Sequence, residues 1–234
     1  MRKIIVILLM LFPLFVFSDI IEQKEIDLNG DSINEKIVLE GIHVSSVYID
    51  NLKLSIIGKE STTVNLDFGV YEPDISFYDF DGDGKLDVFL KGYSGGSGNY
   101  IYYYIYSYEK GELLSSKQSL IDLQAEFMDN FKALIKYKNY YTYIDLSDRK
   151  KQYIKMKAYN EYGQFIGDYK SLFLGGIAEL KPVDFEHDGI YELKGTISLS
   201  GLFHADRIGY IYFIYSIREK QMKWLEISKV IYVK

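Results

Sequence analysis

One nine-residue pattern occurs three times in this chain and constrains it more than any other feature. Asp27 to Glu35 reads DLNGDSINE, Asp79 to Asp87 reads DFDGDGKLD, and Asp184 to Glu192 reads DFEHDGIYE. Each copy has an acid at position 1, Asn or an acid at position 3, Asp at position 5 and an acid at position 9. An apolar run follows each, and then Gly41, Gly92 or Gly195. The starts lie 52 and then 105 residues apart, one period and then about two, which predicts a degenerate fourth copy near residue 131 that has lost its acids. The second and third copies agree further along. Each passes a Ser-Gly pair (Ser94-Gly95, Ser200-Gly201) into a Tyr-rich segment containing Ile-Tyr-Ser, so the copies are whole structural units.

Between the copies, segments such as EKIVLEG, VYIDNLKL, LDVFLKG, IYELKGTISL and GYIYFIYSI alternate apolar and polar residues and favour Val, Ile, Tyr and Thr. That pattern, punctuated by Gly, Asn and Asp, predicts strands and turns. The expectation is an all-β, mostly antiparallel fold, with propeller-like or sandwich-like sheets joined by the acidic loops. At most one short helix is expected, near 119–130, where Leu120, Leu123 and Phe127 recur at helical spacing. The alternative for this stretch is a loop followed by a strand starting near Phe131. With no Pro/Ser-rich linker and no charge block, residues 19–234 read as a single domain.

The acidic frame suits a hard cation. Calcium takes six to eight oxygens, and a tight loop turns side chains 1, 3 and 5 inward while position 7 offers a carbonyl. The middle copy supplies Asp79, Asp81, Asp83, the Lys85 carbonyl and Asp87, with Gly84 at the sharp turn. The first supplies Asp27, Asn29, Asp31, the Ile33 carbonyl and Glu35, with Ser32 in place of the turn glycine. The third supplies Asp184, Glu186, Asp188, the Ile190 carbonyl and Glu192, with Glu186 and His187 disturbing the geometry. The fourth carboxylate comes at position 9, whereas an EF-hand places it at 12, so each loop should join two strands rather than two helices. One to three Ca²⁺ ions are expected.

On DLNGDSINE, DFDGDGKLD with SGGSGNY, and VDFEHDGIYE with GYIYF, the chain resembles FG-GAP-like, VCBS-type repeat proteins secreted by Gram-positive bacteria. The resemblance implies β-propeller blades or related β units with structural Ca²⁺, on extracellular proteins of adhesion or ligand binding. It implies no catalytic residues.

The remaining composition agrees with an exported protein. Residues 1–18, MRKIIVILLMLFPLFVFS, carry Arg2 and Lys3, an apolar run from Ile4 to Phe17, and Val16 and Ser18 at cleavage positions, the layout of a secretory signal peptide. No later segment is apolar enough to span a membrane. The residues after the leader hold 25 basic and 33 acidic side chains, which argues against nucleic acid as a partner. There is no cysteine, so metal ions are left as the available cross-links in an oxidising compartment.

The expected role is an extracellular binding or structural module whose partner is a cell-surface polysaccharide or protein. The alternative is a secreted hydrolase acting on cell-wall polymer or polysaccharide. Gly92-Tyr93-Ser94-Gly95-Gly96 satisfies G-x-S-x-G, but a strand rather than a helix follows it, which is wrong for a nucleophile elbow. His204 beside Asp206 is a weaker pair, with a loop hydrogen bond as its ordinary explanation. A better lead lies among the 23 tyrosines. Tyr100, Tyr102, Tyr104 and Tyr106 share one strand face by period two. Two readings are open: an exposed aromatic platform for sugar rings or a protein, or cross-strand packing inside the sheets.

Overall fold

The computed structural model describes residues 18–96 and 100–230; the leader segment, up to residue 17, lies outside them. The strands are β1 (Asp19–Ile26), β2 (Glu35–His43), β3 (Tyr48–Ile57), β4 (Thr62–Asn65), β5 (Val70–Tyr78), β6 (Asp87–Tyr93), β7 (Ile101–Ser107) and β8 (Gly111–Ser115). They continue as β9 (Gln124–Met128), β10 (Lys132–Tyr137), β11 (Tyr140–Asp145), β12 (Phe173–Val183), β13 (Glu192–Ser200), β14 (Arg207–Ser216) and β15 (Gln221–Lys229). Every pairing between these strands is antiparallel. The fold is therefore mostly antiparallel β, as the alternation predicts.

Three sheets result. The first runs β1-β2-β3-β5-β6-β7-β8 with β4 also on β3, the second β11-β10-β9, and the third β12-β13-β14-β15. The first is two four-stranded meanders joined at a narrow seam. Strand β3 pairs with β4 through Lys53 to Ile56, and with β5 only through Tyr48 and Ile49. The chain is thus laid out as β1–β4, β5–β8, β9–β11 and β12–β15, each unit built from consecutive strands.

The second unit, β5–β8, packs on both faces. On β6 and β7, Val88, Leu90 and Tyr104 join one core with Leu39, Leu54 and Ile56 of the first unit. Their alternates Phe89, Ile101, Tyr103 and Ile105 join a second core with Phe127, Ile135, Leu193 and Phe213 from the later units. Alternation on a strand ordinarily marks one wet face. Here the polar-looking alternates of Ile101 and Ile105 are tyrosines, and the rings of Tyr104 and Tyr106 pack into the first core, so this stretch of alternating Ile and Tyr is apolar on both sides.

The helix expected near 119–130 is not there. Gln124–Met128 is strand β9, and the single α-helix among the described residues is α1 (Lys150–Lys155), after a 3-10 turn at Ser147–Arg149. Leu120, Leu123, Ala125 and Phe127 are all buried. Their spacing suits a helix as well as a loop running into a strand, and the pairing of β9 with β10, Ala125 opposite Ile135 and Phe127 opposite Ala133, decides it. The alternative placed its strand from Phe131; β10 opens at Lys132. Among the described residues no helix is long and apolar enough to cross a membrane.

Candidate calcium loops and the aromatic cleft

The three acidic segments occupy one topological position. Each fills the connection between the first two strands of its meander, at 27–34, 79–86 and 184–191, and each position 9 residue opens the next strand as Glu35, Asp87 or Glu192. Near residue 131 the corresponding connection, between β9 and β10, is only Asp129–Phe131. Its single acid, Asp129, accepts the Phe165 N–H at 2.9 Å.

The loops also share one hydrogen-bond frame. The position 1 carboxylate accepts backbone N–H groups further along its own loop. Asp27 takes Gly30 at 2.7 Å and Ser32 at 2.8 Å; Asp79 takes Gly82 at 2.7 Å and Gly84 at 2.8 Å; Asp184 takes Asp188 at 3.1 Å and Gly189 at 3.3 Å. Position 5 accepts from position 7, with Asp31 on Ile33 at 2.8 Å, Asp83 on Lys85 at 3.0 Å and Asp188 on Ile190 at 3.1 Å. Position 9 accepts from position 2, with Glu35 on Leu28 at 2.9 Å, Asp87 on Phe80 at 3.0 Å and Glu192 on Phe185 at 3.1 Å. Position 6 has positive φ in all three: Ser32 at 69°, Gly84 at 79° and Gly189 at 84°. Glycine reaches that region without strain, and Ser32 does so at a cost.

What differs is how the surplus carboxylate oxygens are satisfied. Glu35, Asp87 and Glu192 are 1%, 1% and 0% exposed, so each brings a carboxylate into the protein beside other acids. In the first loop the Asn29 amide answers this. Its nitrogen donates to Glu35 Oε1 at 3.1 Å and Asp31 Oδ2 at 3.3 Å, while its oxygen accepts the Asp31 N–H at 2.8 Å. The second loop has Asp81 at that position, and the buried Asp81 Oδ1 has no hydrogen-bond partner among the described residues. The third has Glu186 there, and Glu192 Oε1 is left buried and unpartnered in the same way.

The electrostatics follow. Burial, with Asp81, Asp83 and Asp79 nearby, pushes the Asp87 carboxyl up to about 7, against the favourable Phe80 N–H. Burial likewise raises Glu192, with Glu186 and Asp188 adding to it. Buried carboxylates with like charges around them favour the protonated form unless a cation is supplied. Asp79, Asp81 and Asp87 each offer one oxygen, and these oxygens lie within 4.8 Å of one another. Oxygen-only donors in a tight loop, one of them an orphaned buried atom, fit a divalent hard cation such as calcium. The second loop fits best, the third less compactly, and the first least because Asn29 already serves it.

The predicted tyrosine platform is divided by the fold. Tyr104 is buried and Tyr106 half-buried against the first core, so the row is not one continuous exposed face. Tyr100 and Tyr102 remain exposed, at 37% and 38%. Tyr102 stacks on Phe68 with centroids 5.4 Å apart, and both tyrosines border a cleft of about 440 Å³ lined also by Ser116, Gln118, Gly176 and Ile177. Every lining residue of this cleft is uncharged.

Ser94, His204 and Asp206, the residues of the two hydrolase leads, each make structural contacts. Ser94 closes the base of the β6–β7 connection, accepting the Tyr100 N–H on its hydroxyl at 3.0 Å, and strand β7 follows. His204 packs its ring on Phe173 at 4.8 Å. Asp206 turns away to Arg149 and Tyr153, each at 2.7 Å. Nothing in the local sequence marks this buried Arg149–Tyr153–Asp206 group, because its arginine and its acid lie 57 residues apart.

Residues 121–230 match the family model described as the YybI C-terminal domain. The match begins past β8 and ends after β15, so it takes in the third acidic loop and the Arg149 group but neither of the first two loops. The uncharacterized protein YybI of Bacillus subtilis (strain 168) is 30% identical over 153 residues, covering 60% of this chain. The chain spans 56% of that relative's length. No solved structure matches.

Proposed function

We propose that this chain is a secreted, calcium-stapled β protein that works outside the cell as a binding module for cell-surface polysaccharide or protein. Its units are blade-like: consecutive antiparallel meanders, with the second one packed on both faces as a propeller blade is. The observation that carries the calcium reading is the pair of orphaned, buried carboxylate oxygens, Asp81 Oδ1 and Glu192 Oε1, in loops that are otherwise hydrogen-bonded alike. Calcium would be held in the middle loop by Asp79, Asp81, Asp83, Asp87 and the Lys85 carbonyl, and would neutralise charge that the fold has already desolvated.

In a chain without cysteine, such ions take the role of cross-links. At about tenfold excess over Kd, each occupied site adds about 1.4 kcal/mol by mass action, a sizeable part of a marginal stability. The thermal midpoint in millimolar Ca²⁺ should therefore exceed that in EGTA by several degrees, and Asp81→Asn should remove much of the difference. Equal midpoints in the two media would overturn the calcium reading.

The binding face we assign to Tyr100 and Tyr102, because an uncharged cleft with exposed rings suits a neutral sugar better than a charged ligand. Tyr102→Ser should lower retention on purified cell-wall polysaccharide, with a fall in thermal midpoint no larger than loss of the Phe68 stack explains, which Phe68→Ala measures. Unchanged retention would remove the cleft from consideration.

A further inference from the structure

The ammonium of Lys110, in the turn between β7 and β8, lies 2.8 Å from Asp81 Oδ2 and 2.7 Å from Asp83 Oδ2. It sits on two of the inward ligand positions of the middle loop. The neighbouring residue of the same turn, Glu109, pairs with Lys85 of that loop, so the turn and the loop are held together from both sides. The contact depresses the Asp83 carboxyl, chiefly through its hydrogen bond to Lys110.

The third loop receives cations from the corresponding place. Arg218, in the turn between β14 and β15, lies 3.4 Å from Asp188 and 3.5 Å from Glu186, and Lys223, just past that turn on β15, reaches Glu186 at 2.8 Å. The two turns read SYEKG and SIREK after the same Ile-Tyr. Both are tied by their first serine, Ser107 accepting the Lys110 N–H at 3.4 Å and Ser216 accepting the Glu219 N–H at 3.2 Å. Loop by loop, a donor from the chain occupies the acidic frame: the Asn29 amide in the first, Lys110 in the second, Arg218 and Lys223 in the third.

We propose that Lys110 is a tethered cation that holds the Asp79–Asp87 loop in its metal-free form and is displaced when calcium binds, so that the β7–β8 turn sets the calcium affinity of the loop. This rests on the calcium reading of that loop. A calcium ion needs the Asp81 and Asp83 oxygens at 2.3 to 2.6 Å, and an ammonium on those same two carboxylates would repel it at short range. The Lys110 side chain is 47% exposed, so it swings into solvent at little cost. It leaves Asp81 Oδ1 unserved, which is why it stands in for the ion without replacing it. The metal-free protein is thereby protected from the repulsion of its own ligands, at the expense of calcium affinity.

Calcium titration by calorimetry of the full chain tests this, with Lys110→Met, Lys110→Arg, Asp79→Asn and the Asp79→Asn/Lys110→Met double variant. Lys110→Met keeps the stem and removes the competitor, so the Kd of the affected site should fall about two- to fivefold, the range of an exposed ion pair. Lys110→Arg should titrate like the wild type, and in the Asp79→Asn background Lys110→Met should change nothing. The Lys110→Met thermal midpoint should fall in EGTA and match the wild type in saturating calcium. Wild-type calcium binding with an unchanged or weaker Kd in Lys110→Met overturns the competition while leaving the calcium site standing. No calcium binding by the wild type, or none lost in Asp79→Asn, overturns both.

Discussion

The Tyr191 N–H donates to the Asp79 carbonyl at 2.7 Å, joining the third acidic loop to the first residue of the second. One loop earlier the Leu86 N–H donates to the Leu28 carbonyl at 3.0 Å. In both cases position 8 of one loop bonds to position 1 or 2 of the loop before it, so the three acidic loops stand side by side as a backbone-bonded row. The Tyr191 ring reinforces the second junction by packing on Tyr78 with centroids 4.6 Å apart. A double-mutant cycle of Tyr78→Ala and Tyr191→Ala should show a coupling of about 0.5–1.5 kcal/mol, the double variant losing that much less than the sum of the two single losses. Urea unfolding of the four proteins measures it, and strict additivity would mean that the junction carries no shared energy.

Two glycines should respond differently to the same methyl group. Gly84 has φ of 79° and open space around the place of a Cβ, so Gly84→Ala bears only backbone strain, about 1 kcal/mol. A Cβ on Gly195 would stand 2.1 Å from Cζ of the fully buried Phe213 ring, and Gly195→Ala should cost about 3 kcal/mol through forced repacking. Denaturant midpoints of the two variants should differ accordingly, with Gly84→Ala the milder.

Much of this was legible in the residues, and the reasons are local. The acids of DFDGDGKLD and its relatives are close in sequence and bound into turns by their own backbone, so spacing alone places them between strands. Alternation found the strands because side-chain period survives any topology. Long-range partners were not legible. Lys110 reaches Asp81 across 29 residues, and no periodicity announces that. Tyr104 and Tyr102 share a strand face, yet one is buried and the other exposed, because burial depends on which unit covers that end of β7. The Leu120 to Phe127 spacing fitted two geometries, and only pairing with β10 selects one.

Without a bound metal ion the protein should lose stability as pH rises from about 4 to about 7. Burial and the neighbouring carboxylates raise the Asp87 carboxyl from the ordinary aspartate value of 3.8 to about 7, so between those values the folded state holds a proton that the unfolded state has released. Folded-state proton uptake means that unfolding free energy falls with increasing pH across that window and levels off above it. The effect is at most about 4 kcal/mol, from roughly three pH units at 1.36 kcal/mol each. In EGTA, the urea midpoint should drop between pH 4 and pH 7, and Asp87→Asn should flatten the drop. Calcium requires the deprotonated carboxylates, so its stabilisation should grow over the same range. A calcium effect equal at pH 5 and pH 8 would count against Asp87 as a ligand.

Arg149 and Asp206 form an ion pair whose side chains are 5% and 1% exposed, Nη1 to Oδ1 at 2.7 Å. The pair is completed by neighbours: Asp206 Oδ2 accepts Tyr153 OH at 2.7 Å and the Leu202 N–H at 3.0 Å, and Arg149 Nη2 donates to the Arg207 carbonyl. It ties the turn and helix at 147–155 to the β13–β14 connection, inside the region that matches the YybI C-terminal domain. Removing one partner leaves a desolvated charge, so Asp206→Ala should cost about 3–5 kcal/mol. Replacing the group together, as Arg149→Met, Asp206→Leu and Tyr153→Phe, removes charge and desolvation at once and should cost less than Asp206→Ala alone. Thermal midpoints decide between the outcomes. If the triple variant is the less stable, the ion pair itself, rather than the avoidance of an unpaired charge, holds this connection to the helix.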